Sequence, residues 1–394
     1  MTHPHAPHIE PLDGDPVVLV HQLVRLAVTQ RASDIHIEPR HDVLQVRLRV
    51  DGAMVDVQPF SLGIASSVIS RVKVLARMDI AERRLPQDGQ IALDLEDGRL
   101  VHLRCSTFPA SQGEKIVLRI LSSQKLTPFD QLGLDPTSSA RLREVATRPQ
   151  GFVVTSGPTG AGKTSTLYAL LQLIDPRDVN VVTLEDPVEV ELYGVTQGQV
   201  SARAGFTFAL GLRAILRQDP DVILVGEMRD AETAGIAMQA ALTGHLVLST
   251  LHTSDTVETI VRLVDLGVEP WVVANALSAV LAQRLVRVVC PSCKRIVKLE
   301  RDVWDGDEVL LTAGADIVRP AGCDACLRTG YRGRTGIFEV VELDDELRDL
   351  VKAKAPTRAY RDVYARRKIP SLRRAGFDKI TAGITTVEEV LRVT

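Results

Sequence analysis

The sequence predicts an α/β chain in two parts: a small α+β domain on an antiparallel sheet, then a larger domain with a parallel sheet wrapped by helices. Three observations carry this. Short alternating runs separated by Asp-Gly pairs fill the residues up to about 120. After Gly151, apolar runs of the buried-strand type alternate with helical patterns. One of these runs leads straight into Gly157-Pro158-Thr159-Gly160-Ala161-Gly162-Lys163-Thr164, a G-x-x-x-x-G-K-[ST] pattern that cradles phosphate when it lies between a strand and a helix.

The bulk numbers agree with a globular chain of two or three domains. It has 394 residues, 45% hydrophobic and 25% charged, and with only 4% aromatics its core must rest on Val, Leu, Ile and Ala. A net charge of -3 argues against a surface built for nucleic acid. The most apolar region, 271–285, is broken by Asn275, Ser278 and Gln283, so no run of about 18 apolar residues is present to span a bilayer. Residues 1–11 carry His and Pro but no basic segment followed by an apolar one, so no signal peptide is expected and the chain should stay in the cytoplasm.

In chain order, 1–14 is expected to be a disordered tail. The domain 15–122 opens with a helix over 16–30, apolar at Val17, Val20, Val24 and Val28. Strand-like runs follow at 43–50, 91–95, 101–105 and 115–121, interrupted by a helix over 64–76. Asp51-Gly52 and Asp97-Gly98 suit tight hairpins. A polar linker at 123–136, with Pro128, Gly133 and Pro136, makes a hinge. The domain 137–394 then carries buried-type strands at 151–156, 179–184, 222–225 and 246–249.

The chemistry concentrates around the phosphate pattern. Its glycines let backbone N–H groups turn toward phosphates at the start of the helical run 163–173, and the cradle extends to Ser165. Lys163 supplies charge at the β/γ oxygens, and the Thr164 hydroxyl completes a magnesium shell, which makes ATP and Mg2+ the expected cofactors. Phosphoryl transfer also needs an acid near the metal and a group that orients water. Glu227 ends the strand run 222–225, and Glu185 ends 179–184; which of them polarises the water stays open. Asp186 and Glu189 serve equally as solvated loop acids. His245 and His252 bracket the run 246–249 and are sensor candidates, with His252 at the phosphate end.

Cys290-x-x-Cys293 and Cys323-x-x-Cys326 are two knuckles separated by the 29-residue segment 294–322. Four thiolates so paired suit one closed, structural zinc site, with redox chemistry as the alternative. The segment between them is expected to form a lobe of its own, the whole module covering about 288–335 within the second domain. Cys105, alone in a strand-like run, reads as a small buried hydrophobe.

Together these elements resemble the ATPases of bacterial type II secretion and type IV pilus assembly. The specific segments are 32–39 (ASDIHIEP), 81–89 (AERRLPQDG), 212–221 (LRAILRQDPD), 243–253 (TGHLVLSTLHT), 281–287 (LAQRLVR) and 386–394 (TVEEVLRVT). The resemblance implies a RecA-like ATPase domain preceded by a PAS-like domain, assembled as a homohexamer with ATP lying between the two domains. It places Glu185 in an acidic box, Glu227 in the second nucleotide motif and His245 and His252 in a histidine box. It brings Arg104 and Arg119 to the phosphates, with Arg213 and Arg217 from the helix before Glu227. The residues themselves add that Arg104 and Arg119 lie in neighbouring strand runs, and that Arg213 and Arg217, four apart, share a helix face. The tetracysteine module matches the assembly branch rather than the retraction branch. The implied partners are platform proteins at the inner face of the cytoplasmic membrane. The basic stretch 358–379 is read as a solvated helix face, with acidic phospholipid as a further contact. The family often adds an N-terminal docking domain; here the PAS-like region follows the short tail at once, so recruitment through such a domain is not expected. A DNA-uptake or DNA-transfer motor and a nucleotide-gated scaffold without turnover remain the competing functions, although nucleic acid is not an expected partner at this charge.

Overall fold

The structure, a computed structural model, describes residues 15–95, 98–121, 126–305 and 308–394. The expected tail at 1–14, Asp97 of the second Asp-Gly pair, residue 122 at the end of the expected first domain and residues 123–125 of the expected linker lie outside the described residues. Two compact units emerge: 1–124 with 287–297 and 318–333, and 125–286 with 298–317 and 334–394.

In the first unit the order is α1 (Pro16–Thr29), β1 (Ala32–Pro39), β2 (Val43–Val50), β3 (Ala53–Asp56), β4 (Phe60–Ser61), α2 (Ala65–Leu75), β5 (Gln87–Asp94), β6 (Leu100–Ala110) and β7 (Gly113–Ile120). Asp15 starts α1 by accepting from the Val17 and Val18 amides, with Pro16 in the first turn, where its missing N–H costs nothing. The strands form one antiparallel sheet in the order β3-β2-β1-β7-β6-β5, with β4 beside β2. Period-2 alternation puts Ile35, Ile37, Ile116, Leu118 and Leu103 on the face that α1 and α2 cover with Leu19, Leu23, Val68 and Val72. Asp51 and Gly52 both take positive φ (49° and 83°), the conformation that a tight hairpin between β2 and β3 requires. Cys105 is fully buried in this core, and burial pushes its thiol up to about 12.

The second unit contains α3 (Pro136–Ala146), β8 (Gly151–Ser156), α4 (Lys163–Leu171), β9 (Val181–Glu185), β10 (Thr196–Gln199), α5 (Phe208–Ile215), β11 (Val222–Val225), α6 (Ala231–Leu242), β12 (Leu246–Leu251), α7 (Thr256–Asp265), α8 (Pro270–Ala276) and β13 (Leu277–Val289). After it come β14 (Lys294–Lys298), β15 (Val303–Asp305), β16 (Glu308–Leu311), β17 (Asp316–Pro320), β18 (Tyr331–Glu342), α9 (Asp345–Lys352), α10 (Thr357–Arg367), α11 (Leu372–Thr381) and α12 (Val387–Val393). Its sheet runs β10-β9-β11-β12-β8-β13-β18, parallel from β10 to β13. The central strands are buried on both faces. Phe152, Val154, Ile223, Val225 and Val247 enter one core, while Val153, Val222, Leu224, Leu246 and Leu248 enter the other. Each such side chain removed from water contributes about 1.5–3 kcal/mol. This is why the strands read as unbroken apolar runs.

Three expectations change. The described part of the linker, 126–136, is packed rather than free: Phe129 and Leu132 are buried with Leu142 and Leu167, and the Gly133 carbonyl accepts from Lys379 Nζ at 2.8 Å. The segment between the cysteine knuckles is not a lobe by itself. Its middle, 298–317, joins the second unit, where Arg373 and Arg374 of α11 reach Asp305 (2.8 Å) and Glu308 (2.9 Å), while 287–297 and 318–333 group with the first unit. The basic stretch 358–379 spends its charge inside the chain: Arg361 on Asp255, Arg366 on Glu346, Arg367 on Asp344 and Glu346, Arg374 also on Asp378. A face so neutralised has little left to attract acidic phospholipid.

Candidate nucleotide site and metal centre

The parallel registers fix which loops meet at the carboxyl edge of the sheet. Ser156 pairs with Leu251, Ser249 with Val225 and Val225 with Leu184, so Gly157, His252, Gly226-Glu227 and Glu185 emerge along one edge. Side chains stitch this edge: Ser249 Oγ donates to Val225 O (2.7 Å) and Thr250 Oγ1 to Gly226 O (2.8 Å). Edges of this kind, at the ends of parallel strands, are where α/β proteins bind ligands.

Gly157 has φ 144°, and a Cβ there would lie 2.6 Å from the Gln283 carbonyl, so only glycine fits. The loop is held from below by Gln283, which is buried and donates through Nε2 to Ala161 O at 2.8 Å. Arg284 beside it ties three segments together, donating to Gln283 O, Ser254 O and Val393 O at 2.8–3.1 Å. Burial pulls its guanidinium below the usual arginine value.

Lys163 opens α4 and is itself buried, with Nζ on the carbonyls of Gly157 (2.8 Å) and Pro158 (3.1 Å) and 3.5 Å from His252 Nδ1. Burial lowers its ammonium to about 8, with Glu227 pulling it back up and Arg284 pushing it further down. His252 Nε2 stands 3.5 Å from Glu227 Oε2, and Glu227 Oε1 takes Arg229 at 2.5 Å. Lys163, His252, Glu227 and Arg229 therefore form one chain of alternating charge and imidazole at the loop. Thr164 sits partly exposed in the first turn of α4.

Glu185 is buried and holds three donors. It accepts from the Tyr168 hydroxyl on α4, from Thr183 Oγ1 (2.6 Å) and from Gln197 Nε2 (3.1 Å). Its neighbours raise the Tyr168 phenol well above its usual range, burial first and the Glu185 carboxylate second.

Not every expected residue is brought here. His245 lies at the amino end of β12, the opposite edge of the sheet. Its backbone carbonyl accepts from Gly151 N, and its ring Nδ1 is 2.9 Å from Ala240 O. A six-residue strand, roughly 20 Å long at about 3.3 Å per residue, separates it from His252. Of the two histidines, only His252 lies at the edge that carries the glycine loop. α5 ends at Ile215, and Arg217 stands in the turn that continues from it. Arg213 pairs with Glu232 (3.0 Å) on an exposed surface, and Arg217 caps the Arg213 carbonyl (2.8 Å).

In the first unit Arg104 and Arg119 are direct cross-strand partners on β6 and β7, so both project from the sheet face that the helices leave open. Tyr168, Gln197 and Arg229 fall in no motif of the sequence, and Gln283 and Arg284 lie in the segment 281–287, where spacing alone assigns them no role.

The four cysteine sulfurs lie within 4.8 Å of one another, with Cys290–Cys323 and Cys293–Cys326 at 3.9 Å and Cys323–Cys326 at 3.7 Å. A tetrahedron with Zn–S bonds of about 2.3 Å has an edge of about 3.8 Å. The set therefore fits zinc, and the separations are far from the roughly 2.05 Å of a disulfide. The amides of Cys323 and Gly330 donate to Cys326 Sγ, each at 3.2 Å, which steadies a thiolate.

A parallel sheet ending in a glycine loop, a buried loop lysine and a strand-end acid define a P-loop nucleotide-binding domain. The comparisons with known proteins agree. The family model described as "Type II/IV secretion system protein" matches residues 12–392, and the chain belongs to that family. Type II secretion system protein E of Aeromonas hydrophila is 46% identical over 97% of this chain and 76% of its own length. Type II secretion system ATPase E of Vibrio cholerae is also 46% identical, over 98% and 77%. Type IV pilus assembly ATPase TfpB of Acinetobacter baylyi is 44% identical over 96% and 65%. Among solved structures, the ATPase DotB of Legionella pneumophila superimposes with a TM-score of 0.70 at 22% identity over 98% and 97% of the two chains. The pilus retraction motor PilT with bound ADP gives 0.64 at 24% identity over 95% and 96%. These two speak for the fold alone, a mixed α/β architecture.

No helix among the described residues is long and apolar enough to cross a membrane.

Proposed function

We propose that this chain is a magnesium-dependent ATPase that works as one subunit of a homohexameric motor. The motor drives pseudopilus or type IV pilus assembly for protein secretion, docked on platform proteins at the inner face of the cytoplasmic membrane. The observation that carries the reading is the Lys163–His252–Glu227 chain at the carboxyl edge of the sheet, directly beside a glycine loop that Gln283 holds in place. The kinship with secretion and pilus-assembly ATPases supports the cellular role.

The residues divide the work. The loop amides from Gly157 to Ser165 and the Lys163 ammonium bind the β- and γ-phosphates. Thr164 and Glu227 offer hard oxygen donors of the kind magnesium takes, and the bound ion would neutralise charge on the bridging phosphate oxygens. Glu227 is the group we assign to orient water, with His252 sensing the γ-phosphate through its contacts to Lys163 and Glu227. Glu185, already carrying three donors, stiffens the joint between α4 and β9 and serves the reaction through that placement. Arg104 and Arg119 supply positive charge as charge develops on the phosphates, a role worth roughly 4–7 kcal/mol when an arginine finger fills it. Arg213 and Arg217 belong to the same charge-neutralising set. His245 serves as a helix–strand junction. Zinc in the cysteine tetrad holds fold, since all four positions are thiolates.

ATP turnover per subunit, measured against protein concentration with magnesium and with EDTA, tests this. Turnover that rises with assembly and stops in EDTA supports a ring ATPase. A flat, negligible rate with ATP still bound indicates a nucleotide-gated scaffold.

A further inference from the structure

His252 is the first residue beyond β12, and only three residues, Thr253 to Asp255, separate it from α7. Its side chain is half exposed, and its two ring contacts, to Lys163 Nζ and Glu227 Oε2, both stand at 3.5 Å. That is the outer limit of a hydrogen bond, so a shift of a fraction of an ångström loses either one. The ring is therefore placed by the backbone that carries it, and that backbone by the start of α7.

The start of α7 is held from two directions. Asp255 caps it locally, accepting from the Glu258 amide at 2.7 Å. The Thr256 amide belongs to the first turn, whose donors find no partner within their own helix, and it crosses to Glu339 Oε1 on β18 at 3.1 Å. The Thr256 hydroxyl donates to the same oxygen, and the Tyr364 hydroxyl of α10 lies 3.1 Å from that of Thr256. Thr256 is fully buried and Glu339 nearly so. A carboxylate is costly in such a place: burial pushes it up from its usual range, and the two Thr256 donors pull it back. An apolar side chain of similar size would fill the position without that cost. It could not accept from Thr256 and fix where α7 begins. On the His252 side of the joint, Arg284 donates to Ser254 O at 2.8 Å and Ser254 N donates to Glu258 Oε2 at 3.1 Å.

We infer that Glu339 is a positioning residue for the nucleotide reaction: by pinning Thr256 it sets the segment that presents His252 to Lys163 and Glu227. The inference rests on the proposed role of His252 in ATP hydrolysis and adds the group that places it. Misplacement by about 1 Å, even from a change far from the chemistry, costs on the order of a hundredfold in rate. The phosphate loop itself is held by Gln283, so loss of the Glu339 anchor should appear in kcat rather than in ATP binding.

The test uses the full chain with ATP and magnesium, comparing His252→Ala, Glu339→Gln, Glu339→Ala and the double variant Glu339→Ala/His252→Ala, with thermal melting of each. Glu339→Ala should lower kcat about tenfold or more while KM for ATP moves by less than about twofold. Glu339→Gln, which keeps an oxygen for both Thr256 donors, should recover part of the rate. The double variant should be no slower than His252→Ala alone, because Glu339 acts only through that histidine. If Glu339→Ala melts below the assay temperature, Thr256→Val, which keeps the shape and removes only the hydroxyl, takes its place and should lower kcat severalfold. A slow His252→Ala beside a Glu339→Ala or Thr256→Val of wild-type rate would overturn the inference and leave the histidine's role standing. So would losses that multiply in the double variant, or a loss confined to KM. Wild-type turnover in His252→Ala would overturn the role of the histidine, and the inference with it.

Discussion

Nucleotide affinity should fall with pH through a single group, Lys163. Its ammonium is buried on two loop carbonyls, and burial brings its pKa from the ordinary 10.5 to about 8. Only the protonated amine attracts phosphate, so the apparent Kd should scale as one plus the ratio of neutral to charged lysine. That factor is about 1.1 at pH 7 and about 11 at pH 9, a loss of about 1.4 kcal/mol of binding. The same shift sets a stability trend of known sign. From about pH 8 to 10.5 the unfolded chain holds a proton that the folded chain has released, so the fold gains stability as pH rises across that window. Equilibrium titration with a fluorescent ATP analogue between about pH 7 and 9.5, at constant ionic strength, reads the first effect. In Lys163→Arg the charge persists throughout the range, so the variant should bind more weakly but without the step. A wild-type affinity that stays flat to pH 9.5, or an equal step in Lys163→Arg, refutes the reasoning.

Metal analysis of the purified chain should give one zinc per chain, and Cys323→Ser should lower that content sharply; wild-type protein without zinc but with two disulfides contradicts the thiolate tetrad. Tyr168→Phe leaves the buried Glu185 carboxylate short of one donor and should destabilise the second unit by about 1.5–3 kcal/mol, read as faster amide hydrogen exchange in β9 and α4. Unchanged exchange there would show that the hydroxyl carries no such load. Gln283→Ala removes the support under Ala161 and should weaken ATP binding severalfold while the zinc content stays at its wild-type level; intact affinity would show that the loop holds its shape without it.

Much of the site could be read in the sequence because its geometry is local. The phosphate loop is one continuous segment between β8 and α4, and the strands bearing Glu185, Glu227 and His252 are short apolar runs that a parallel sheet aligns by itself. What escaped depends on contacts across the chain. Tyr168 looks like an ordinary core residue of α4 until β9 places Glu185 beside it, and Arg229 looks like a loop cation until it meets Glu227. His245 and His252 bracket one strand, and its six residues carry His245 to the far edge of the sheet, as their order in the sequence implies. The ion pair of Arg213 with Glu232, nineteen residues on, is a contact that spacing along α5 does not show. The basic stretch 358–379 appeared free because its acids, Asp255, Asp305, Glu308, Asp344 and Glu346, lie elsewhere in the chain. Composition shows the cations; only the fold shows their partners.

The central claim is that the loop at Lys163 and the acid at Glu227 hydrolyse ATP together. The most direct measurement is single-turnover hydrolysis by wild type and Glu227→Gln, with ATP binding measured in parallel. The account predicts that the variant binds ATP near the wild-type level and loses hydrolysis by about two orders of magnitude or more. Wild-type hydrolysis in Glu227→Gln would contradict it and would move the catalytic role to another acid, with Glu185 the first to examine.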